Sequence, residues 1–531
     1  MNLIEGTFNL RNKKINKIEK LKAKRSALDF FNHFEEICKG TYEDQIGEAE
    51  TKHLLKCFGI YDKGNSDNFT IRLRITGGQL NIDQAVKISQ VAKKYANDYI
   101  DITTRAQIEL RYLNFHELPA ILKELEESKI TTFQTAGDNF RGVVTSALDG
   151  FSKTSKIDTM PILKEIQEVF LNKEEYLGTL PRKFNVSILG DEINTCNVFG
   201  NDCGFALAKK DDTYGFNLYL GGKVGVQAKD LNLFIKPEQV KTVFKTIVDI
   251  FKEYGFKDNR NKNRLIFLLD AVGVEEFANE IKIKSELHLP EAGVLQVRKE
   301  FKLDNNSTIK LKDDFTAVHV GIPSGIFSGT DLEKIANTAR LTDSKIRLTY
   351  EQSFYLITKD ENINLIKQSS IYNKYSTFHN VYFNNLIACS GRDVCSFGTI
   401  DNKPDAIEMA NFLQNEVPLE NAKVRMYWSA CPKGCGIHGV ADIGFEGAKA
   451  KDKEGKTCDG VKIFIGGKAS TSILEARVLY KVTPLKTAQK IVKELLTIYK
   501  EERLEEETFE SFDSRVLSQL TIEQIQEKIG Y

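Results

Sequence analysis

Residues 71–80 read Ile-Arg-Leu-Arg-Ile-Thr-Gly-Gly-Gln-Leu (IRLRITGGQL), an alternating strand that runs into a glycine pair. The same design returns at residues 318–327 as VHVGIPSGIF. Further along each copy, IDITTRAQIEL (residues 100–110) is echoed by IRLTYEQSFYL (346–356), and GFNLYLGGKV (215–224) by GVKIFIGGKA (460–469). All three echoes stand about 245 residues downstream and keep their order, which marks an internal duplication behind an N-terminal arm.

Each copy is expected to open with an alternating strand (Thr70–Ile75 in the first), a Gly turn and an amphipathic helix over Asp83–Tyr95. A second alternating strand over Tyr99–Leu110 and a second helix over Leu118–Ser128 follow. That β-α-β-α order predicts an α+β fold of two pseudo-symmetric halves, each a ferredoxin-like sandwich unit followed by a larger Gly-punctuated unit. The expected boundaries are an arm at 1–67, then units at 68–130, 131–285, 300–370 and 371–531, with Ile283–Asp314 joining the halves.

The 74 basic and 74 acidic side chains cancel, which excludes a globally basic nucleic-acid coat or an acidic tail. A 41% hydrophobic content with only 10 prolines supports sizeable folded cores. No apolar run reaches the roughly 18–20 residues of a membrane span, and MNLIEGTFNLRNKK lacks the apolar region of a secretory signal. The expected compartment is the cytoplasm. Nine cysteines, an odd number, fit a reducing compartment in which thiols divide into buried singles and ligands.

Four of them share one window: Cys389 and Cys395 as C-x5-C in ACSGRDVCSFG, and Cys431 and Cys435 as C-x3-C in ACPKGCGIHGVADIGFEG. Four thiolates on two Gly-rich loops can enclose a metal centre, because thiolates suit iron and zinc and glycine permits close backbone approach. Structural zinc favours tighter knuckles than C-x5-C. This window resembles the assimilatory nitrite and sulfite reductase family, which holds a [4Fe–4S] cluster beside a siroheme. The resemblance extends to IRLRITGG, DITTRAQIELR, LPRKFN, NRNKNR before LLDAVGVEEF, and both Gly-Gly strands, in family order from about residue 50 to 480.

The resemblance implies six-electron reduction of a small oxyanion at the siroheme iron. It implies that Cys435 bridges cluster and siroheme, with Cys389, Cys395 and Cys431 on cluster iron, and that the siroheme lies in the units at 131–285 and 371–531. Siroheme carboxylates call for cations: Arg105 and Arg111, then Arg260, Lys262 and Arg264 of NRNKNR, with Arg477 a weaker candidate. The oxyanion site carries over to Arg72, Arg141 and Lys183. Asn185 matters because sulfite reductases of the family tend to have Lys there and nitrite reductases Asn; a doubly charged sulfite gains more from an extra ammonium than nitrite does. Nitrite is therefore the expected substrate, with sulfite the alternative.

No Walker A or G-x-G-x-x-G pattern marks a nucleotide or flavin domain, so electrons are expected from reduced ferredoxin or a separate flavoprotein. The basic run Arg11–Arg25 could dock an acidic donor, or be a solvated helix face. No nucleic-acid or membrane partner is expected. Cys196 and Cys203 read as structural thiols and His438 as a packing residue near the cluster loop. Lys183 precedes its Gly-Gly pair by 38 residues and Cys431 its own by 35, so the cationic and cluster loops are expected at roughly equivalent places, facing one cofactor from two sides. The competing class is an iron–sulfur carrier without siroheme, for which the cationic set has no use.

Overall fold

In the computed structural model, which describes residues 3–46, 48–298 and 307–531, the strand Phe69–Leu73 lies inside a five-stranded antiparallel sheet. The chain then turns at Gly77 and Gly78, both at positive φ, and Gln79–Leu80 pairs with Lys345–Leu348 in the sheet of the other half. The second copy returns the exchange: after Ser324 and Gly325, Ile326–Ser328 pairs with Tyr99–Ile102 of the first sheet. Each ferredoxin-like sheet is thus completed by a strand from the other half. The approach is close, since a Cβ on Gly78 would stand 2.7 Å from the Leu348 carbonyl oxygen and one on Gly325 2.9 Å from that of Ile102.

Immediately after the crossing, Asn81 and Gln84 form a capping box that starts the helix Ile82–Tyr95. This helix packs on its counterpart Gly329–Leu341, and both units share one hydrophobic core with arm residues such as Phe30, Phe34 and Phe58. The arm is therefore not a separate body. Its last strand, Ile60–Asp62, pairs with Phe69–Leu73.

The two larger units repeat one pattern. Strands Phe140–Val144, Phe184–Leu189 and Cys203–Lys210 run parallel, then Thr213–Leu220 and Lys229–Ile235 add antiparallel. Leu386–Ala388, Met426–Ser429 and Ile443–Lys451, followed by Thr457–Ile465 and Arg477–Pro484, do the same. Each sheet has its own core.

One expected strand is two. Tyr99–Ile102 and Ile108–Leu113 form a hairpin, with Ile100 opposite Leu110. The alternation continues through the reversal, and Thr-Thr-Arg-Ala-Gln at 103–107 contains none of the Gly, Pro or Asn that usually announce a turn. The Thr103 hydroxyl closes it by accepting from the Arg105 and Gln107 amides, and Ala106 takes φ 51°. Residues 299–306, inside the expected connection and the start of the 300–370 unit, lie outside the described residues. Among the described residues no helix is long and apolar enough to cross a membrane.

Gly78→Ala is expected to destabilise by about 2–4 kcal/mol, through the positive φ and the Leu348 carbonyl. Gly6→Ala, in a helix with nothing within 4 Å, is expected to be neutral or slightly stabilising; paired thermal melts check both.

His319 and His379 have ring centroids 5.6 Å apart, and burial holds them down to about 3 and about 4. The unfolded chain protonates histidine near pH 6.5, so it binds more protons below that value and stability falls as pH drops from about 6.5 toward 4. His319→Phe should flatten this limb of the melting temperature against pH; an unchanged slope would assign the loss to other groups.

Candidate active site

The four cysteines of the window come together at the ends of parallel strands. Cys389 follows Leu386–Ala388, and Cys431 lies just past Met426–Ser429. The Cys389 sulfur accepts from the Ala430 amide at 3.2 Å and from Asn402 Nδ2 at 3.4 Å. Burial pushes its thiol up to about 12, and Cys435 and Cys431 are near enough to add to the rise; Cys431 in turn feels Cys435 and Cys395. Among the described residues no three His, Cys, Asp or Glu side chains are arranged to hold a single metal ion. The loop is tight: a Cβ on Gly436 would fall 1.8 Å from the Trp428 carbonyl oxygen.

The cluster loop of the second half leans on the first half. Thr104, in the hairpin turn, donates to the Cys435 carbonyl at 3.2 Å, and Gly434 faces Val224 of the first Gly-Gly strand. Cys435 lies within electrostatic reach of Lys183 and Arg141. The cationic wall and the cluster loop therefore face one another.

That wall is built from three segments. Arg105 sits in the hairpin turn. Arg141 occupies a β-bulge, where pairing shifts between Phe140 opposite Phe184 and Gly142 opposite Asn185. Bulges re-aim side chains at sites. Gly142 makes the room, since a Cβ there would meet Arg105 Cδ at 2.8 Å and Asn185 Oδ1 at 3.2 Å. Lys183 stands just before the strand Phe184–Leu189. Burial pushes its ammonium well below the usual lysine range, with Arg141, Arg264 and Arg105 adding and Cys435 opposing. Neither Arg105, Arg141 nor Lys183 has a carboxylate partner among the described residues, and the buried Nε atoms of Arg105 and Arg141 have no acceptor.

The other expected cations, Lys262 apart, carry internal partners. Arg72 reaches Glu109 at 2.6 Å and lies over the Tyr61 ring. Arg111, 1% exposed, bonds Asp101, Glu109 and Ser390 behind the cysteines, and Lys403 shares Asp101. Arg260 forms a two-pronged pair with Asp138 at 2.6 and 2.5 Å, and Arg264 pairs with Asp202 at 2.7 Å. Arg477 bonds Asp513 at 2.5 Å, and Lys262 is exposed. The basic run at 11–25 divides: Arg11 pairs with Asp258, Lys22 with Glu19 and Asp138, Lys24 with Glu50 and Arg25 with Asp29, while Lys13, Lys14, Lys17 and Lys20 are exposed. Asn185, 2% exposed, has both its backbone and side-chain N–H groups on Asp202, at 3.0 and 3.1 Å. His438 packs against Phe464, and Cys196 and Cys203 are buried thiols raised by burial.

A family model for the nitrite and sulphite reductase 4Fe-4S domain matches this chain twice, at residues 136–289 and 383–529, one match per larger unit. A model for the ferredoxin-like half domain of the same enzymes matches residues 61–128. The chain belongs to the nitrite and sulfite reductase family. Its similar relatives include a ferredoxin–nitrite reductase of Synechococcus elongatus, 31% identical over 86% of this chain and 91% of the relative. Another, from Leptolyngbya laminosa, is 28% identical over 91% and 96%. The NirA protein of Mycobacterium tuberculosis shares the fold, with a TM-score of 0.86 at 22% identity over 97% of this chain and 98% of that one.

The residues fit the cofactors the reductase family implies. Unpaired cations across from Cys435 suit an anionic macrocycle, and four thiols gathered on tight Gly-rich loops suit an iron–sulfur cluster. One expected equivalence shifts. The D-x-G-F runs at 202–205 and 442–445 open matching strands, so the counterpart of the cluster loop at 430–442 is the loop at 190–202, not the Lys183 loop. Val186 pairs with Cys203 as Met426 does with Ile443, so Asn185 matches Arg425, and Lys183 lies two residues earlier, at the opposite end of the strand from the loop at 190–202. Distance to the Gly-Gly pair blurs this, because strand and loop lengths differ between copies. The repeated D-x-G-F also signals two residues the sequence reading passed over: Asp202, which fixes Asn185 and Arg264, and Asp442, which binds Arg425. Tyr350 and Asn197, buried near Arg105, carry no comparable signal.

An unpaired buried charge costs stability, whereas a paired one supports it. In cofactor-free protein, Lys183→Met is expected to stabilise by about 1–2 kcal/mol and Arg264→Met to destabilise by about 3–5 kcal/mol. Thermal melts at equal ionic strength read both.

Proposed function

We propose that this chain reduces nitrite to ammonium, taking six electrons from reduced ferredoxin or a separate flavoprotein. The site would be a siroheme joined through Cys435 to a [4Fe–4S] cluster on Cys389, Cys395, Cys431 and Cys435. The observation that carries the reading is the cationic set Arg105, Arg141 and Lys183, facing Cys435 without a counter-ion. When bound, siroheme and cluster supply an open iron position and the electron path. The names of the relatives support nitrite and ferredoxin, and nine free thiols suit a cytoplasmic setting.

The protein's own groups account for the rest. Arg141 and Lys183 hold the oxyanion, and Arg105 meets a cofactor carboxylate. Arg72, still tied to Glu109, braces the wall beside Arg141. With six electrons, nitrite takes up eight protons and leaves as ammonium and two waters, so an anion enters and a cation departs. A positive pocket binds the first and repels the second. Lys183 is the readiest proton donor at its Nζ, because burial and three arginines already disfavour its charge. An iron–sulfur carrier would have no use for this arrangement.

Asn185 sets the substrate. Its amide is fixed by Asp202 and adds no charge, which suits singly charged nitrite; a lysine there would add a cation for sulfite. Anaerobically purified protein with a reduced viologen dye should turn over nitrite at least about tenfold faster than sulfite, with ammonium and sulfide assayed separately. Asn185→Lys should narrow that ratio, since one added charge at contact is worth on the order of 1 kcal/mol or more. A wild-type sulfite rate that equals the nitrite rate would overturn the assignment in favour of sulfite reduction.

A further inference from the structure

The arm sends two lysines toward the cationic wall, and they end differently. Lys22 is fully used: it bonds Glu19 at 2.5 Å, Asp138 at 3.0 Å and the Leu180 carbonyl at 2.6 Å. It thereby ties the arm to the loop that leads into Lys183. Lys56, half-buried in the last turn of the helix Ala49–Cys57, has no hydrogen-bond or ion-pair partner among the described residues. Its position is well fixed. His53, Leu54, Leu55 and Cys57 are buried around it, and the Cys57 carbonyl accepts from the Gln134 amide at 2.8 Å. A Cβ on Gly137 would touch Lys56 Cβ at 3.4 Å. The helix end therefore lies against the segment that enters the Arg141 bulge.

We propose that Lys56 is a further anion-binding cation of this site, carried in by the N-terminal arm, and that it strengthens capture of the anionic substrate beside Arg141. The inference rests on the nitrite reductase reading and adds a residue to it. The charged groups acting on Lys56 are Arg141, Lys52 and Arg260, all cations, and Asp62. Asp62 is already engaged by Lys52 at 2.9 Å, by the Tyr42 hydroxyl and by the Gly64 amide, both at 2.8 Å. An ammonium half-buried among cations is disfavoured until an anion arrives. Lys56 then acts through charge and not through the bond-breaking step, so its removal should weaken anion binding and leave turnover at saturation intact.

The test compares wild type, Lys56→Gln and Lys56→Arg as purified holoprotein. Ligand affinity is followed through the haem-type absorbance with nitrite, an anion, and with carbon monoxide, which is neutral. Lys56→Gln should weaken nitrite binding and raise the nitrite KM roughly three- to ten-fold, as expected for one charge across a partly hydrated pocket. It should leave kcat and carbon monoxide affinity within about twofold, and Lys56→Arg should restore nitrite binding. Unchanged nitrite affinity, or equal weakening of both ligands, would overturn the proposal. Loss of the chromophore in Lys56→Gln alone would overturn it in favour of a cofactor contact. Wild type without such a chromophore would instead sink the parent reading, before any variant is compared.

Discussion

The two ferredoxin-like sheets cannot be separated, because each lends the other a strand through a turn that passes within contact distance of its backbone. A Cβ on Gly78 would overlap the Leu348 carbonyl oxygen, and one on Gly325 that of Ile102. With the strands exchanged, the halves share one core and their relative placement is fixed. Everything at the site follows from that placement. The hairpin turn with Thr104 and Arg105 can reach Cys435 only because the sheet carrying it is locked to the half that carries the cysteines.

A second consequence is electrostatic. Most cations near the site are matched by a buried carboxylate: Arg72 and Arg111 by Glu109, Arg260 and Lys22 by Asp138, Arg264 by Asp202. These carboxylates act as struts. Asp138 joins the arm to the NRNKNR loop and sits three residues before Arg141, while Asp202 holds the strand that Lys183 opens. Pairing so many charges makes the unpaired ones informative. Arg105, Arg141 and Lys183 are held by a scaffold of satisfied ion pairs in a place where their own repulsion is uncompensated, and folding alone would not favour that.

The sequence shows residue types and periods, and those were enough for the duplication, for the helix expected at Asp83–Tyr95 and observed at Ile82–Tyr95, and for the window that gathers four cysteines. Arg141 was singled out by resemblance alone, and the bulge at Phe140–Gly142 that aims it leaves no periodic mark in the sequence. The turn at 103–107 was not legible, since alternation has the same period on both arms of a hairpin. Nor were the roles of Arg111 and Arg260 as braces behind the wall. Whether a guanidinium is free or paired depends on a carboxylate that stands 10 or 122 positions away in the chain. Lys56 was missed for the same reason in reverse, because its significance lies in having no partner.

Duplication also explains how one pocket obtains two incompatible surfaces. A loop proposed to bind iron through thiolates is served by backbone N–H donors, such as the Ala430 amide on the Cys389 sulfur, and by few competing side chains. A wall that binds anions needs crowded cations instead. In the second half the loop at 430–442 carries cysteines; its first-half counterpart at 190–202 has kept only Cys196, buried and without the ligand spacing. At the matching place the two halves bond the same aspartate differently: Arg425 is neutralised by Asp442 and Glu510, while uncharged Asn185 bonds Asp202 and leaves nearby Lys183 without a carboxylate among the described residues. Each copy carries one of the two surfaces, and Thr104, in the hairpin of the sheet locked to the second half, bonds the Cys435 carbonyl where they meet.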